Sequence, residues 1–304
     1  MKKLTLLVLL PLALYTAVAD AQQDPQYTQY MYNMNVINPA YAGSKESLSI
    51  TALYRNQWSG FEDAPVTFTF SAHSPISDKI GLGLSAIKDK LGPISETNVF
   101  TDFSYTLDVG ASTKLAFGIK AGFTFHSVGL VDLALQDPGD PFFSQNINNT
   151  YPNIGTGAFL YGDKFYVGLS VPNLLKSVHL DENGIKYGSE TNHFFGTAGY
   201  VFQVSENVKL KPSVMVKTAF NSPVSFDANI NTLFYEKFEL GVSYRLDDSF
   251  SGLVGFQATP NIRVGYAYDY VTSEIRTVAA ASHEVVFTFD LFFNKRTMRS
   301  PRYF

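Results

Sequence analysis

Five histidines are the residues of this chain best suited to acid–base chemistry or metal binding. They are His73, His126, His179, His193 and His283. The chain has no H-E-x-x-H motif, no cysteine and no G-x-S-x-G motif, so a zinc site and a serine hydrolase both lack their usual sequence context. His283 and Glu284 are neighbours, which on a strand directs their side chains to opposite faces. The sequence therefore predicts no catalytic residue, no metal site and no enzymatic activity.

The composition excludes one class of partner and favours another. The formal net charge is -4, which offers no basic surface for nucleic acid. Charged residues make up 16% and aromatic residues 15% of the chain, against roughly 25% charged residues in an average soluble domain. After residue 21 no apolar run reaches the ~18 residues of a membrane-spanning helix. A membrane protein built from strands fits these values.

Residues 1–21 have the pattern of a secretory signal peptide. Lys2 and Lys3 are followed by an apolar run, and Ala19-Asp20-Ala21 fits a cleavage site that leaves Gln22 first. An uncleaved signal anchor is the alternative, but the apolar run is short for a spanning helix. The sequence thus predicts an exported protein, and without cysteine it has no disulfides.

From residue 47 onwards apolar and polar residues alternate. Residues 114–125, KLAFGIKAGFTF, are a clear example. The runs exceed the roughly 5–6 residues of a soluble strand and suit a tilted membrane strand. The pattern predicts an all-β, transmembrane outer-membrane β-barrel of about fourteen antiparallel strands at residues 47–293, among them strands at 112–127, 152–161 and 249–259. Closure is expected because an open sheet edge has no hydrogen-bond partner in hydrocarbon.

Alternation also assigns each side chain to the lipid or the lumen. Phe117, Leu240 and Val264 are expected to face outer-membrane lipid, whereas the lumen positions Gly118, Glu239 and Arg263 should tolerate polar changes better. The predicted lumen charges are Arg55, Asp102, Lys120, Lys209, Lys211, Asp227, Glu239, Arg245, Arg263, Asp269 and Asp290. Because both signs are interspersed, a self-neutralising lining is favoured over a selective ion path.

The connections between the predicted strands differ in length. Tight turns follow the even-numbered strands, and the longest loops, at residues 128–151 and 172–190, follow odd-numbered ones. Short turns are periplasmic in outer-membrane barrels, so both termini are expected in the periplasm. His126, His193 and His283 then lie near extracellular strand ends, where a rim hydrolase is the alternative to ordinary polar residues. The basic tail, residues 294–304, is interpreted as solvated, with contact to a periplasmic partner as the alternative.

Residues 22–46 form a periplasmic or lumen segment without strand periodicity. Asp24 suits a helix N-cap and Pro25 the first helical position, with Tyr27, Tyr30, Met31 and Met34 on one helical face. Asn38-Pro39 and Tyr41-Ala42-Gly43 supply the turns that end this unit. We expect this candidate plug or partner segment to partly fill the barrel, with Gly81, Gly83, Gly118 and Gly122 permitting its close approach or barrel curvature. A disordered lead and a docking surface for a periplasmic partner are the alternatives.

Several stretches carry a family resemblance. They are DPQYTQYMYNMNVINPAYAG (24–43), SITALYRNQWSGFEDAP (49–65), FSAHSPI (70–76), HFFGTAGYVF (193–202), LKPSVMVK (210–217) and ASHEVVFTFDL (281–291). In this order they resemble the PorP/SprF family of outer-membrane proteins of the type IX secretion system of Bacteroidota. The resemblance covers nearly all of the chain after the signal peptide, and NPAYAG followed by YRNQW is its most specific part.

The resemblance implies a function that composition and periodicity do not. It implies a non-enzymatic outer-membrane component of the type IX secretion or gliding machinery, without a cofactor. Implied partners are secreted, adhesin-like cargo proteins and periplasmic components of the secretion or gliding machinery. A passive outer-membrane porin or uptake channel is the alternative.

Overall fold

The computed structural model describes residues 25–131, 145–175, 178–182, 185–189, 192–220, 222–277 and 281–292. The predicted signal peptide, Asp24 and the basic tail lie outside the described residues. In the part that is described, no helix combines the length and the hydropathy needed to cross a membrane.

Strands dominate the described residues. They are β1 (Ser47–Ser59), β2 (Val66–Pro75), β3 (Ile80–Leu91), β4 (Ile94–Asp108), β5 (Lys114–Val128), β6 (Ile147–Tyr161), β7 (Phe165–Val171), β8 (Val178–Glu182), β9 (Ile185–Ser189), β10 (His193–Tyr200), β11 (Phe202–Ser205), β12 (Val208–Ala219), β13 (Ser225–Phe234), β14 (Phe238–Arg245), β15 (Ser249–Thr259), β16 (Ile262–Val271) and β17 (Ala281–Phe292). A four-residue α-helix, α1 (Met34–Ile37), and 3-10 turns at Tyr30–Tyr32, Pro39–Tyr41 and Glu274–Thr277 complete the set.

The long strands close into a single antiparallel barrel. The first strand pairs with the last, from Ser47 opposite Phe292 to Ser59 opposite Ala281. On the far side β10 pairs with both β7 and β12, which completes the ring. β10 and β11 are two parts of one barrel strand interrupted at Val201, since both pair with β12. The barrel therefore has fourteen strands, which confirms the predicted fold and strand number. The separate hairpin β8–β9 belongs to the connection between β7 and β10.

The two ends of the barrel differ in their connections. Turns at residues 76–79, 109–113, 162–164, 206–207, 235–237 and 260–261 close one end, and the longest connections, at 129–146 and 172–192, lie at the other. Because short turns face the periplasm in bacterial barrels, we name these the periplasmic end and the extracellular end.

The two faces of each strand have different surroundings. Phe117, Leu240 and Val264 are exposed on the outside of the barrel, as predicted. The neighbouring lumen position Gly118, however, does not tolerate substitution. A Cβ there would lie 2.2 Å from the backbone nitrogen of Ala40, so any side chain would collide with the backbone inside the lumen. Glu239 and Arg263 also form a buried ion pair, and the expectation that these three lumen positions accept polar changes is revised accordingly.

Two adjacent residues of β17 allow its lipid face and its lumen face to be compared, with one charged substitution at each. Phe287 is exposed on the outer face near the middle of the strand, whereas Thr288 lines a cavity in the lumen. Phe287→Arg should destabilise the assembled barrel by ~2–4 kcal/mol, because it places a charge in hydrocarbon. Thr288→Glu should cost clearly less, because its carboxylate enters the cavity in the lumen directly opposite Arg263. Urea titrations, with the folded fraction read from the heat-modifiable band on a gel, measure the free energy of unfolding of both variants. Equal costs would show that the face assignment is wrong.

Candidate functional site: the segment inside the barrel

Residues 25–46, here called the lumen segment, lie inside the barrel. Their side chains are mostly buried, and their hydrogen-bond partners lie on strands around the whole circumference. These partners include Glu284 of β17, Arg55 of β1, Thr69 of β2, Asp102 of β4, Lys120 of β5, Ser170 of β7 and Asn229 of β13. Only a segment within a closed barrel reaches all of these strands.

The segment runs along the barrel axis. Thr28 contacts Asp269 and Glu284, which lie close to the extracellular ends of β16 and β17. Lys45 contacts Asp290 near the periplasmic end of β17. The lumen segment thus begins in the extracellular half and reaches β1 at the periplasmic end.

A buried ion cluster holds the start of the segment. Arg55 Nη1 lies 2.6 Å from Asp269 Oδ2 and 3.1 Å from Glu284 Oε2, and these side chains are 2%, 1% and 0% exposed. The backbone N–H groups of Thr28 and Gln29 donate to the two oxygens of Glu284 at 2.9 and 2.7 Å. The Thr28 hydroxyl donates to Asp269 at 2.8 Å. We call Arg55, Asp269 and Glu284 the Arg55 cluster. Its charges offset their desolvation only while these partners remain in place.

A second pair supports the same region. Arg245 donates from Nε and Nη2 to the two carboxylate oxygens of Asp227, at 2.7 and 3.0 Å. Its Nη2 also donates to the carbonyl of Tyr27 at 3.3 Å. A bidentate guanidinium–carboxylate pair fixes the direction of both groups, so β13 and β14 present a rigid donor to the segment.

Lys120 holds the middle of the segment from the opposite wall. Its ammonium donates to the carbonyls of Val36 and Asn35 at 2.8 and 3.3 Å, which are carbonyls at the C-terminal side of α1. Asp102 lies 3.4 Å from the same ammonium and accepts from the Asn35 amide at 3.0 Å. A cation at this end of a helical turn satisfies carbonyls that have no partner within the helix.

The turn at Asn38-Pro39 fits against strands that bring glycine to the lumen. Asn38 Oδ1 accepts from Ala40 N at 3.0 Å and so caps the 3-10 turn Pro39–Tyr41, while its Nδ2 donates to the carbonyl of Ala158 at 3.1 Å. A Cβ on Gly81 would lie 2.3 Å from the Ala42 oxygen. Gly43 has a φ of +71°, which favours glycine. The predicted close approach is thus present at Gly81, Gly83 and Gly118, whereas the atoms nearest to Gly122 belong to Val99 and Phe100 of the barrel wall.

The predicted helical face is not present as one helix. Tyr27, Tyr30, Met31 and Met34 are all buried, but Pro25 and Tyr27 precede any helical turn and α1 begins only at Met34. The physical reason is competition for backbone groups. Glu284 takes two N–H groups and Arg245 takes the carbonyl of Tyr27, all of which a continuous helix would have used.

The sequence prediction named the apolar residues of the segment and Asn38, but it omitted most of the other polar residues that hold the segment. Tyr30 is buried, and its hydroxyl accepts a hydrogen bond from Asn229. Tyr41 packs edge-on against His73 and Phe159 at 5.2 and 5.3 Å. The sequence prediction does not include four residues that anchor the segment, namely Thr28, Gln29, Asn33 and Asn35. The only signal for them was the richness of the stretch in Asn and Gln.

The four histidines whose side chains the structure describes do not assemble into a shared site, and the side chain of His179 lies outside the described part. His126 and His193 are buried, whereas His283 lies on the outer face with its Nδ1 2.8 Å from Tyr266 Oη. His73 accepts a hydrogen bond from Gly43 N at 3.2 Å and so supports the segment. Among the described residues no group of three or more His, Asp or Glu is placed to hold a metal ion.

The fold is similar to those of solved outer-membrane channels. It matches the CymD monoaromatic hydrocarbon channel with a TM-score of 0.55 at 12% identity, covering 89% of this chain and 94% of that one. The Ralstonia pickettii toluene transporter TbuX matches with a TM-score of 0.51 at 11% identity, covering 84% and 92%. At these identities the likeness concerns the fold alone. Comparison with curated protein sequences gives no match. The model of the family described as type IX secretion system membrane protein PorP/SprF matches residues 19–289.

Proposed function

Because this chain belongs to the PorP/SprF family of type IX secretion system membrane proteins, we propose that it supports the secretion or cell-surface anchoring of specific, adhesin-like partner proteins. Family and fold make it an outer-membrane component of this secretion system. Its finer role, including a contribution to gliding, is part of the proposal. The role is non-enzymatic.

The observation that carries the proposal is the occupied lumen. A passive porin needs a continuous water-filled path, but here buried side chains of the lumen segment bond to strands on all sides. The Arg55 cluster near one end and Lys120 in the middle make this segment part of the wall. A barrel whose lumen is filled suits a platform that binds other proteins better than it suits a channel for solutes.

Partner contacts belong at the two ends of this platform. Connections at the extracellular end are the longest of the barrel, and loops are where binding specificity usually resides. At the periplasmic end, Lys45 and Ser47 bring the lumen segment to the barrel mouth. We assign cargo proteins to the extracellular loops and other secretion or gliding components to the periplasmic mouth.

Deleting the gene should remove one or a few cargo proteins from the cell surface and leave the rest of type IX secretion intact. The reason is that a barrel with a filled lumen and its own extracellular loops binds particular partner proteins, whereas a general channel binds no particular cargo protein. Surface proteomics of the deletion strain measures this, with a strain re-expressing the gene as control. Unchanged surface cargo contradicts the proposal, and a general loss of solute uptake with intact cargo favours the porin alternative.

A further inference from the structure

A cavity of about 720 Å³ remains between the lumen segment and the wall formed by β12–β17. The turns at Tyr235–Lys237 and Pro260 contribute to its lining, and both lie at the periplasmic end. The cavity therefore opens toward the periplasm. Its volume lies within the roughly 300–1,000 Å³ of small-molecule sites.

Cations outnumber carboxylates around this cavity. Among the described residues that line it, four cations (Lys45, Lys209, Lys237 and Arg263) face three carboxylates (Glu236, Glu239 and Asp290). Each carboxylate already contacts one of the cations. Lys209 pairs with Glu236, Arg263 with Glu239, and Lys45 with Asp290 at 3.1 Å.

The surplus cation lies at the periplasmic mouth of the cavity. Lys237 belongs to the turn Tyr235–Lys237, and Lys209 lies close to the start of β12 beside the neighbouring periplasmic turn. The positive charge of Lys237 makes the mouth of this cavity favourable for an anion.

The rest of the lining is apolar or aromatic. Met31 and Tyr41 contribute from the lumen segment, and Leu233, Phe256 and Phe292 from the strands. A site with cations at its mouth and apolar side chains further inside matches a ligand that carries one negative group on an apolar body.

We propose that this cavity is a binding site for small amphipathic carboxylates that enter from the periplasm. The carboxylate lies toward Lys209 and Lys237 at the periplasmic mouth, and the apolar body packs against Leu233 and Met31. The site is independent of the proposed role in cargo display, so either can fail without the other.

The probe is 4-phenylbutyrate, with 4-phenylbutanol and 4-phenylbutylammonium as neutral and cationic controls of similar shape. Ligand-observed NMR on the full chain in nanodiscs measures the affinity, and empty nanodiscs correct for partitioning into lipid. We expect 4-phenylbutyrate to bind more tightly than the alcohol and the ammonium compound to bind least. Acetate, which lacks the apolar body, should bind more weakly than 4-phenylbutyrate.

Two substitutions in the periplasmic mouth give opposite expectations. Lys209→Gln should weaken 4-phenylbutyrate binding about threefold, and Glu236→Gln should strengthen it about threefold, as one unit charge does at roughly 6 Å in water. Lys209 and Glu236 are partners, so a merely structural effect of breaking their pair would move both variants in the same direction. Binding without charge preference, no saturable binding, or equal effects of the two variants overturns the proposal.

Discussion

Removing residues 25–37 should turn a barrel with little conductance into one that conducts steadily. The deletion takes away the residues that bond to the Arg55 cluster and to Lys120, and with them most of the buried contacts that fill the lumen. A fourteen-stranded barrel is wider than its own side chains can fill, so water and ions should enter. Single-channel recordings in planar bilayers measure the change, and heat-modifiable gel mobility verifies that the barrel assembles. Unchanged conductance in an assembled barrel contradicts a plugging role.

Cysteine labelling tests the same feature in the intact protein. The chain has no cysteine of its own, so an introduced thiol reports only its own position. Tyr30→Cys, at a residue 1% exposed, should resist a bulky maleimide. Tyr235→Cys, at a residue 65% exposed in a periplasmic turn, should react quickly and serves as the control. Rapid reaction at both positions would place residue 30 outside the lumen.

Glu284→Ala should release the start of the lumen segment. This carboxylate accepts from Thr28 N, Gln29 N and Arg55, and it is completely buried. The substitution costs about 3 kcal/mol, because two buried backbone N–H groups lose their acceptor at roughly 1–3 kcal/mol each, while Arg55 keeps Asp269 as its counter-charge. By the usual conversion this is roughly a 100-fold rise in the open population. Hydrogen–deuterium exchange of the peptide containing Thr28 and Gln29 should accelerate accordingly.

The matched control is Glu236→Ala. This glutamate also pairs with a basic side chain, Lys209, but its own side chain is 65% exposed. Exposed ion pairs contribute ~1 kcal/mol or less, so exchange at Thr28 and Gln29 should not change. If both variants behave alike, or if Glu284→Ala leaves exchange unaltered, the Arg55 cluster does not anchor the segment.

Strand boundaries were predictable where apolar residues alternate and less so where they do not. β5 and β15 lie close to their predicted spans because their outer faces are continuously apolar. β6, predicted to begin at residue 152, begins at Ile147 and pairs with β5 as far as Val128. Its first part, Asn148-Asn149-Thr150, has no apolar face. Backbone pairing with β5 extends β6 toward its N-terminus. The sequence of β6 alone carries no pattern that would predict this pairing.

By itself the sequence determined the class of fold, the number of strands and the face of most side chains. Side chains of a strand alternate between its two faces. Because one face meets lipid and the other meets polar groups, apolar and polar residues alternate in the sequence. The conformation of the lumen segment was decided only by the tertiary structure. Its backbone groups bond to Glu284, Arg245 and Lys120, which lie more than eighty residues away along the chain. At the start of the segment Glu284 and Arg245 replace a continuous helix by short turns, because a buried backbone group takes whichever partner the folded chain provides.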